Sequence, residues 1–261
     1  MNFETIICRK EGKVATIVLN RPEQLNALNA RMIEELVAAL GDIGSDAQIG
    51  ALILTGSDTV FGAGADLKMI RDLDGSVAAH TFFAGLGGEP YRRLSNLGKP
   101  TIAAVAGLAL GGVFEMALAC DLRIAADNAS FGLPEVKLGL LPGGGGTQRL
   151  PRLVGATRAK EMLFTGDSID AQEAYRIGLV NKVVAPEKLL EEAGALAAKI
   201  AAKPAFALRM IGAAVDAGLD LPLDTALAYE ARCFEMLFSS EDEKEGVQAF
   251  VEKRKPIYKG R

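Results

Sequence analysis

Short apolar segments rich in β-branched residues recur along this chain, and longer stretches with helical spacing separate them. Continuous apolar runs of this length are typical of strands buried on both faces, which occur where helices cover a largely parallel sheet. The sequence therefore predicts an α/β fold. The predicted strands are residues 14–19, 51–55, 101–105 and 179–184.

Helical patterns fill much of the remaining chain. Residues 32–40 carry apolar side chains at helical spacing, and Asn29 just before them is suited to cap a helix that covers a sheet face. The last quarter is Leu/Ala-rich and is predicted to be entirely helical, with Pro204 and Pro222 separating its segments. We therefore expect a catalytic domain over residues 1–195 and a helical region over 196–261, joined without a flexible linker.

Charge and cysteine usage narrow the class of protein. The 261 residues carry a net charge of −4, which gives no general basic field for nucleic acid. Three scattered cysteines indicate neither a disulfide framework nor a zinc site, so a reducing cytoplasm is the expected location. No targeting signal is visible, and the longest apolar run, 101–114, is too short to span a membrane. The basic stretch 253–261 is either a solvated tail or a segment that faces an anion.

Two glutamates lie in the most apolar part of the chain, each beside a glycine-rich segment. Glu115 follows Gly111 and Gly112, and Glu135 precedes the run of glycines at 143–146. Burying a carboxylate costs several kcal/mol unless its partners compensate. Two such groups facing one site therefore indicate an acid/base pair.

Glycines also precede two predicted helices in a way that exposes backbone N–H groups. Ala65 lies in the turn after the strand 51–55, and Gly112 follows the strand 101–105. Two N–H groups from such positions can converge on one carbonyl oxygen, as in an oxyanion hole. The plainer interpretations are an ordinary tight turn at the first site and glycines needed for helix packing at the second.

Other glycine and nucleophile motifs are absent from the sequence. The turn at 61–68 lacks the third glycine of a dinucleotide fingerprint because Leu67 stands there, and no Gly-Lys-Ser/Thr follows Gly143. A glycine-rich helix start is the safer interpretation of 143–146. The only histidine, His80, has no evident partner and is expected at the surface.

Five short motifs follow one another along the chain: FGAGADLK (61–68), ALGGVFE (109–115), CD (120–121), FGLPE (131–135) and LPGGGGTQR (141–149). Any one of them is weak, but their order and spacing are specific. Taken together they resemble the crotonase superfamily, specifically its enoyl-CoA hydratase branch, and the resemblance covers essentially the whole chain.

The resemblance implies a spiral of ββα units followed by an all-helical C-terminal oligomerisation region. That region builds trimers in similar proteins, and two trimers usually stack as a hexamer. The resemblance also implies an oxyanion hole from the N–H groups of Ala65 and Gly112, with Glu115 and Glu135 as the catalytic acids. No metal or redox cofactor is implied, because CoA arrives as part of the acyl-CoA thioester substrate.

The same matching implies a set of residues that bind the CoA and acyl parts of the substrate. Residues 25–28 and the loop 63–68 would line the nucleotide groove, with Lys68 near phosphate. Phe234 and Lys253 would reach a CoA site in part across a subunit contact. The full set is Leu25, Ala27, Leu28, Ala63, Asp66, Lys68, Gly143, Phe234 and Lys253.

The implied activity is hydration of a 2-enoyl-CoA to a 3-hydroxyacyl-CoA in fatty acid β-oxidation or a related degradation route. Alternatives on the same scaffold are an enoyl-CoA isomerase, a hydratase of a cyclic or branched acyl-CoA, and a CoA-ester hydrolase. A remote alternative is RNA binding, which the acidic charge disfavours. One departure concerns Val113 and Phe114, where many hydratases have Gly-Cys; their bulk is expected to affect the acyl pocket or tilt Glu115.

Overall fold

The computed structural model describes residues 3–260 and contains two sheets. The described strands are Ile6–Glu11 (β1), Val14–Leu19 (β2), Ala51–Thr55 (β3), Val60–Gly62 (β4), Thr101–Val105 (β5), Leu108–Leu110 (β6), Leu122–Ala126 (β7), Ser130–Gly132 (β8), Ile169–Asp170 (β9) and Lys182–Val184 (β10). The helices are Ala30–Ser45 (α1), Leu67–Arg71 (α2), Gly75–Ala84 (α3), Glu89–Ser95 (α4), Gly111–Ala119 (α5), Gly146–Val154 (α6), Ala156–Thr165 (α7), Ala171–Arg176 (α8), Leu189–Ala201 (α9), Ala205–Gly218 (α10), Leu223–Leu237 (α11) and Glu241–Val251 (α12). Short 3₁₀ helices occupy Pro22–Gln24, Leu86–Gly88, Pro134–Leu138 and Pro186–Lys188.

The larger sheet has the strand order β1-β2-β3-β5-β7-β10, and the smaller has the order β4-β6-β8-β9. Pairing in the larger sheet is parallel except for the β1–β2 hairpin, and in the smaller sheet it is parallel except for β8–β9. The successive pairs β3–β4, β5–β6 and β7–β8 each give one strand to each sheet. The chain therefore winds as a spiral of strand pairs with helices between them.

The central strands β3 and β5 of the larger sheet are buried on both faces, which explains why they lack an alternating polar pattern. Alternate residues of each central strand point to opposite sides. On β3, Leu52 and Leu54 join the main core together with residues of α1 and α5, whereas Ala51 and Ile53 pack on the other side against α9. Both sides of the strand are thus apolar, as the sequence predicted.

Three predicted strands match β2, β3 and β5, but the fourth begins later than expected. The sequence predicts extended backbone over residues 179–184, whereas only Lys182–Val184 forms β10. Leu179 and Val180 instead donate their backbone N–H groups to the Ala174 carbonyl at the end of α8. Their apolar character reflects burial in a loop, since Leu179 belongs to the main core.

The predicted helix over 32–40 is confirmed within a longer one, α1. Asn29 is its N-cap, and the Asn29 side chain accepts a hydrogen bond from the Met32 N–H at 2.9 Å. One face of α1 is buried in the main core. The helix therefore covers the sheet as the apolar spacing indicates.

The last quarter of the described chain is helical, but the change in packing comes after residue 195. That position lies inside α9, and α9 packs on the sheet through four buried residues (Leu189, Ala193, Ala197 and Ala201). By contrast, α10 contributes no residue to a buried core, and α11 contributes only Cys233. The division into domains 1–195 and 196–261 stays a prediction.

The basic stretch at the C-terminus folds back onto α12 rather than extending into solvent; its last arginine lies outside the described residues. Arg254 forms paired bonds of 2.6 and 2.9 Å with Glu245, and the Lys259 ammonium lies 3.0 Å from a Glu241 oxygen. The buried carboxylate of Asp242 accepts the Lys259 backbone N–H at 2.6 Å. Acidic residues of the same region thus pair with Arg254 and Lys259, two of the four described basic residues of this stretch. Between residues 3 and 260, no helix combines the length and apolar character needed to cross a bilayer.

Candidate active site

Glu115 is held inside the molecule by the helix that carries it. It lies in α5, where every residue is buried, and Glu115 itself is 2% exposed. Its Oε1 accepts two backbone hydrogen bonds, from Gly144 at 2.8 Å and from Gly146 at 2.6 Å. The carboxylate is therefore fixed by the glycine-rich segment 143–146, which starts α6.

The glycines of that segment are needed because the backbone approaches its neighbours closely. A Cβ on Gly146 would lie 3.0 Å from Glu115 Oε1, and one on Gly144 would lie 2.5 to 2.9 Å from three ring atoms of Tyr91. Gly145 adopts φ 110°, which disfavours side chains. The predicted glycine-rich helix start is confirmed, and its backbone N–H groups bind a carboxylate of the protein itself.

Glu135 approaches from a different element, the 3₁₀ helix Pro134–Leu138. Its Oε1 lies 3.0 Å from the position that a Cβ on Gly111 would take. Among the described residues, Oε2 is buried and has no hydrogen-bond partner. The structure therefore brings the Glu135 carboxyl group to Gly111 in the first turn of α5. Gly111 precedes Glu115 by four residues in that helix.

Burial shifts both carboxyl groups toward their protonated forms. The pKa of Glu115 is raised to about 7, mainly by burial and also by the charge on Glu135, against the Gly146 and Gly144 N–H groups and Arg149, which act to lower it. Burial likewise raises the pKa of Glu135. A coupled pair of this kind favours a state that carries one proton, so one group can accept a proton while the other donates.

The N–H groups of Ala65 and Gly112 are neighbours at the same end of α5. A Cβ on Gly112 would lie 3.8 Å from the Ala65 nitrogen, and one on Gly64 would lie 3.7 Å from the Gly112 nitrogen. Gly112 lies in the first helical turn, where N–H groups have no acceptor within the helix. The positive end of the helix is thus open to an oxygen atom that gains negative charge.

The segment 25–28 is joined to the loop that carries Ala65. Ala63 donates its N–H to the Leu25 carbonyl at 2.9 Å, and Leu28 donates its N–H to the Gly64 carbonyl at 2.8 Å. Leu28 is buried, with its Cδ1 3.4 Å from the position of a Cβ on Gly112, and Ala27 is half-buried. The two segments that the resemblance places along one CoA groove therefore lie side by side.

The side chains of Asp66 and Lys68 have different surroundings. Asp66 caps α2 by accepting the Lys68 backbone N–H at 3.1 Å, and its carboxylate lies 3.6 Å from the Arg21 guanidinium. Lys68 is exposed at the start of α2. Asp66 thus shapes the loop, and the Lys68 ammonium faces solvent where it can reach an anion.

The three remaining candidate residues lie in separate places. Gly143 is exposed beside Phe83, with 3.6 Å between its added Cβ and the ring. Phe234 is exposed on α11 and packs its ring on Phe238, and Lys253 lies in the turn after α12 with φ 56°. Within residues 3–260, no hydrogen bond or ion pair joins Phe234 or Lys253 to the Glu115–Glu135 site. Their binding roles stay predictions.

The bulky pair before Glu115, Val113 and Phe114, is packed in the core. Phe114 is fully buried, and its ring packs on Phe131 with 5.4 Å between centroids. Val113 packs on Gly62, where an added Cβ would lie 2.5 Å from a Val113 methyl carbon. Both side chains fill the core behind α5, so their bulk is accommodated by Gly62 and Phe131.

Two side chains near the carboxyl groups were not identified from the sequence. Tyr91 lies 8% exposed on α4 between Gly112 and Gly144, and Arg149 lies on α6 with a buried Nε that has no partner among the described residues. Tyr91 has no motif around it, and only the packing of α4 on α5 brings it to the site. Arg149 ends the motif LPGGGGTQR (141–149), and this position in the sequence indicated that it lies near the carboxyl groups.

Comparison with known proteins gives a consistent result along the whole chain. The family model described as enoyl-CoA hydratase/isomerase matches residues 9–261. The chain is 48% identical to a crotonyl-CoA hydratase of Syntrophomonas wolfei over 98% of each chain. It is 47% identical to a short-chain-enoyl-CoA hydratase of Clostridium acetobutylicum over 98% of this chain and 97% of the relative.

Solved structures agree with the sequence relatives. An enoyl-CoA hydratase from Bacillus anthracis superimposes with a TM-score of 0.93 at 42% identity, covering 99% of this chain and 100% of that chain. A Geobacillus kaustophilus structure described as enoyl-CoA hydratase subunit I gives a TM-score of 0.93 at 46% identity, with 99% of both chains covered. The predicted α/β crotonase fold with C-terminal helices is confirmed. On its sequence and its fold alike, this chain belongs to the enoyl-CoA hydratase/isomerase family.

Proposed function

We propose that this protein is an enoyl-CoA hydratase, a hydro-lyase that adds water across the 2,3 double bond of a 2-enoyl-CoA thioester. The observation that carries the proposal is the pair Glu115 and Glu135, both with raised pKa, beside the N–H groups of Ala65 and Gly112. The names of the two relatives at 48% and 47% identity favour a short acyl chain.

In the proposed reaction, the N–H groups of Ala65 and Gly112 bind the thioester oxygen. Addition at C3 moves electrons toward that oxygen, and donors already oriented there stabilise the charge without reorganising. The N-terminal end of α5 adds its dipole to the same effect. The hole therefore acts on the transition state more than on the bound substrate.

The two carboxyl groups carry the protons. Glu115, oriented by Gly144 and Gly146, accepts a proton from water while the water oxygen bonds to C3. Protonated Glu135 donates a proton to C2. One water is consumed, and the pair still holds one proton afterwards, so proton exchange within the pair restores the starting state. No redox step is involved, and the proposal requires no metal or cofactor.

The CoA part of the substrate is proposed to lie along the segment 25–28 and the loop 63–68. Hydrogen bonds join these segments, and exposed Lys68 supplies a positive charge for phosphate. Gly143 would border the acyl chain, and Phe234 and Lys253 would contribute from the helical region. The proposed cellular role is fatty acid β-oxidation or related acyl-CoA degradation in the cytoplasm.

Separate Glu115→Gln and Glu135→Gln variants test the assignment. Each is expected to lower hydration of crotonyl-CoA at least about 100-fold, the lower end of what one acid/base group contributes. The measurement is loss of the conjugated thioester absorbance. Neither variant is expected to weaken CoA binding greatly, because both groups act on water and C2.

A 3-enoyl-CoA substrate provides the contrast with an isomerase. Moving one proton between C2 and C4 requires a single acid, so such activity could survive on Glu135 alone. If Glu115→Gln left hydration nearly intact, or if the parent shifted double bonds far faster than it added water, the hydratase proposal would fail.

We also propose a homo-oligomer, a trimer or a dimer of trimers. Helices α10 to α12 leave many large apolar side chains exposed in the single chain, which is unusual for a surface that stays in water. They include Ile211, Val215, Leu223, Leu227, Phe234, Met236, Val247, Phe250 and Val251, and Leu219 directly after α10 is exposed as well.

A further inference from the structure

Tyr91 lies at the centre of the site although the proposed reaction gives it no task. It is on α4, almost fully buried, and its backbone carbonyl accepts a hydrogen bond from Ser95 Oγ at 3.0 Å. The side chain contacts two glycines that the reaction depends on, Gly112 and Gly144.

The ring packs directly on the backbone of Gly144. A Cβ on that residue would lie 2.5, 2.6 and 2.9 Å from three ring carbons, so no atom fits between them. The N–H of Gly144 donates to Glu115 Oε1 at 2.8 Å. Gly144 is therefore held between the ring of Tyr91 and the carboxylate of Glu115.

The hydroxyl of the same side chain faces the first turn of α5. A Cβ on Gly112 would lie 2.9 Å from Tyr91 Oη. Burial raises the pKa of Tyr91 well above its ordinary value, and the charges on Glu115 and Glu135 add to this effect, so the hydroxyl stays neutral. Tyr91 adds no charge to the pair.

We propose that Tyr91 is a positioning residue for Glu115, because its ring holds Gly144 where the N–H of Gly144 donates to the carboxylate. The expected effect on the reaction rate rests on the proposed hydratase function. The contact between the Tyr91 ring and Gly144 does not depend on that function. Packed aromatic rings are rigid, and a displacement of about 1 Å in a catalytic group can cost 100-fold in rate.

The contact also affects how readily Glu115 gives up its proton. Charged and titratable groups face Glu115 from three elements: Glu135 from the 3₁₀ helix, Arg149 from α6 and Tyr91 from α4. Without the ring, Gly144 is free to move away, and the carboxylate then keeps only the N–H of Gly146. An ionised carboxylate that loses a donor has a higher pKa.

Tyr91→Leu and Tyr91→Phe separate the ring from the hydroxyl. Tyr91→Leu is expected to lower kcat for crotonyl-CoA about 10- to 100-fold with little change in KM. It is also expected to move the acid limb of the pH–rate profile upward by about one pH unit, the worth of one hydrogen bond to a charged group. Tyr91→Phe is expected to stay within about 3-fold of the parent with an unmoved limb, since the ring is retained.

Two further variants make the test independent of folding losses. Leu94→Ala removes a buried side chain from the same helix and is expected to lower the unfolding temperature without moving the acid limb. Gly144→Ala drives a methyl group against the Tyr91 ring and is expected to move the limb upward as Tyr91→Leu does. If Tyr91→Leu does not fold, Gly144→Ala decides the question.

Crystal structures of the parent and Tyr91→Leu provide a readout that does not need activity. The Gly144 N to Glu115 Oε1 distance is expected to lengthen beyond about 3.5 Å in the variant. The proposal would be overturned if this distance were unchanged in Tyr91→Leu, or if the acid limb did not move in Tyr91→Leu and Gly144→Ala. It would also be overturned if Tyr91→Phe lost as much activity as Tyr91→Leu. A parent without hydratase activity would instead overturn the proposed function and leave the distance test intact.

Discussion

At the scale of single residues, Gly112 combines two requirements that no other residue type meets. Its N–H lies beside that of Ala65, and its Cα faces Tyr91 Oη and Leu28 Cδ1, which would lie 2.9 and 3.4 Å from an added Cβ. A small side chain would already displace the tyrosine, and a branched one would fill the space where a substrate oxygen is proposed to bind.

Gly112→Val is therefore expected to fold and to lose at least about 100-fold in hydration rate, comparable to removing one oxyanion donor. Far-UV circular dichroism and the crotonyl-CoA assay measure the two effects. Gly194→Val is the matched control, because an added Cβ at Gly194 meets nothing within 4 Å on α9. Activity of Gly112→Val within a few-fold of the parent would show that the oxyanion hole lies elsewhere.

At the scale of elements, α1 is connected to the segment that leads into β1 by a buried carboxylate. Glu35 accepts the N–H groups of Glu4 and Thr5 at 2.9 and 2.8 Å and the Thr5 hydroxyl at 2.6 Å, and it pairs with Arg31 at 2.9 Å. Burial acts to raise the pKa of Glu35, but the Thr5 hydroxyl, the two N–H groups and Arg31 together hold it below its ordinary value.

This depressed pKa predicts how stability depends on pH. The stabilisation is present above the pKa of the unfolded chain and is lost as pH falls through the lower folded value. Glu35→Gln is therefore expected to lower the free energy of unfolding by roughly 1.5–3 kcal/mol at pH 7, with the difference from the parent shrinking below about pH 4. Denaturant unfolding at several pH values measures it. Exposed Glu34→Gln is the control, and an equal effect from it would contradict the interpretation.

The sequence predicts a helix or strand well when the local residue pattern determines it, and poorly when contacts with distant parts of the chain do. The strands β2, β3 and β5 are apolar along their length, so composition alone identified them. The smaller sheet was missed because β4, β6, β8 and β9 have only two or three residues, too few to show a period.

The same distinction applies to the site. Glu115 and Glu135 could be predicted because a carboxylate in an apolar stretch is conspicuous by itself. Tyr91 could not, since a tyrosine on a short helix gives no signal until α4 packs on α5. The residues themselves suggested the pairing of Ala65 with Gly112 but left a turn and a packing contact as plainer explanations, and the resemblance favoured the pairing.

At the scale of the whole molecule, the helical last quarter is expected to be covered by other copies of the chain. Light scattering coupled to gel filtration is expected to give the mass of a trimer or hexamer at micromolar concentration. Changing Leu219 and Leu223, which are 75% and 72% exposed in the single chain, to glutamate is expected to lower that mass without unfolding the spiral. A parent that stayed an active monomer would contradict this prediction.

The strand order of the larger sheet has a consequence for how the chain is made. Each strand after β2 in the order β2-β3-β5-β7-β10 comes later in the chain than the neighbour on which it forms. A ribosome releases the N-terminal residues first, and domains begin to fold during synthesis. Every new strand of this sheet can therefore add to an edge that already exists, and each exposed edge is covered by the next strand of the same sheet. The order of translation is therefore also an order in which the sheet can grow from one edge.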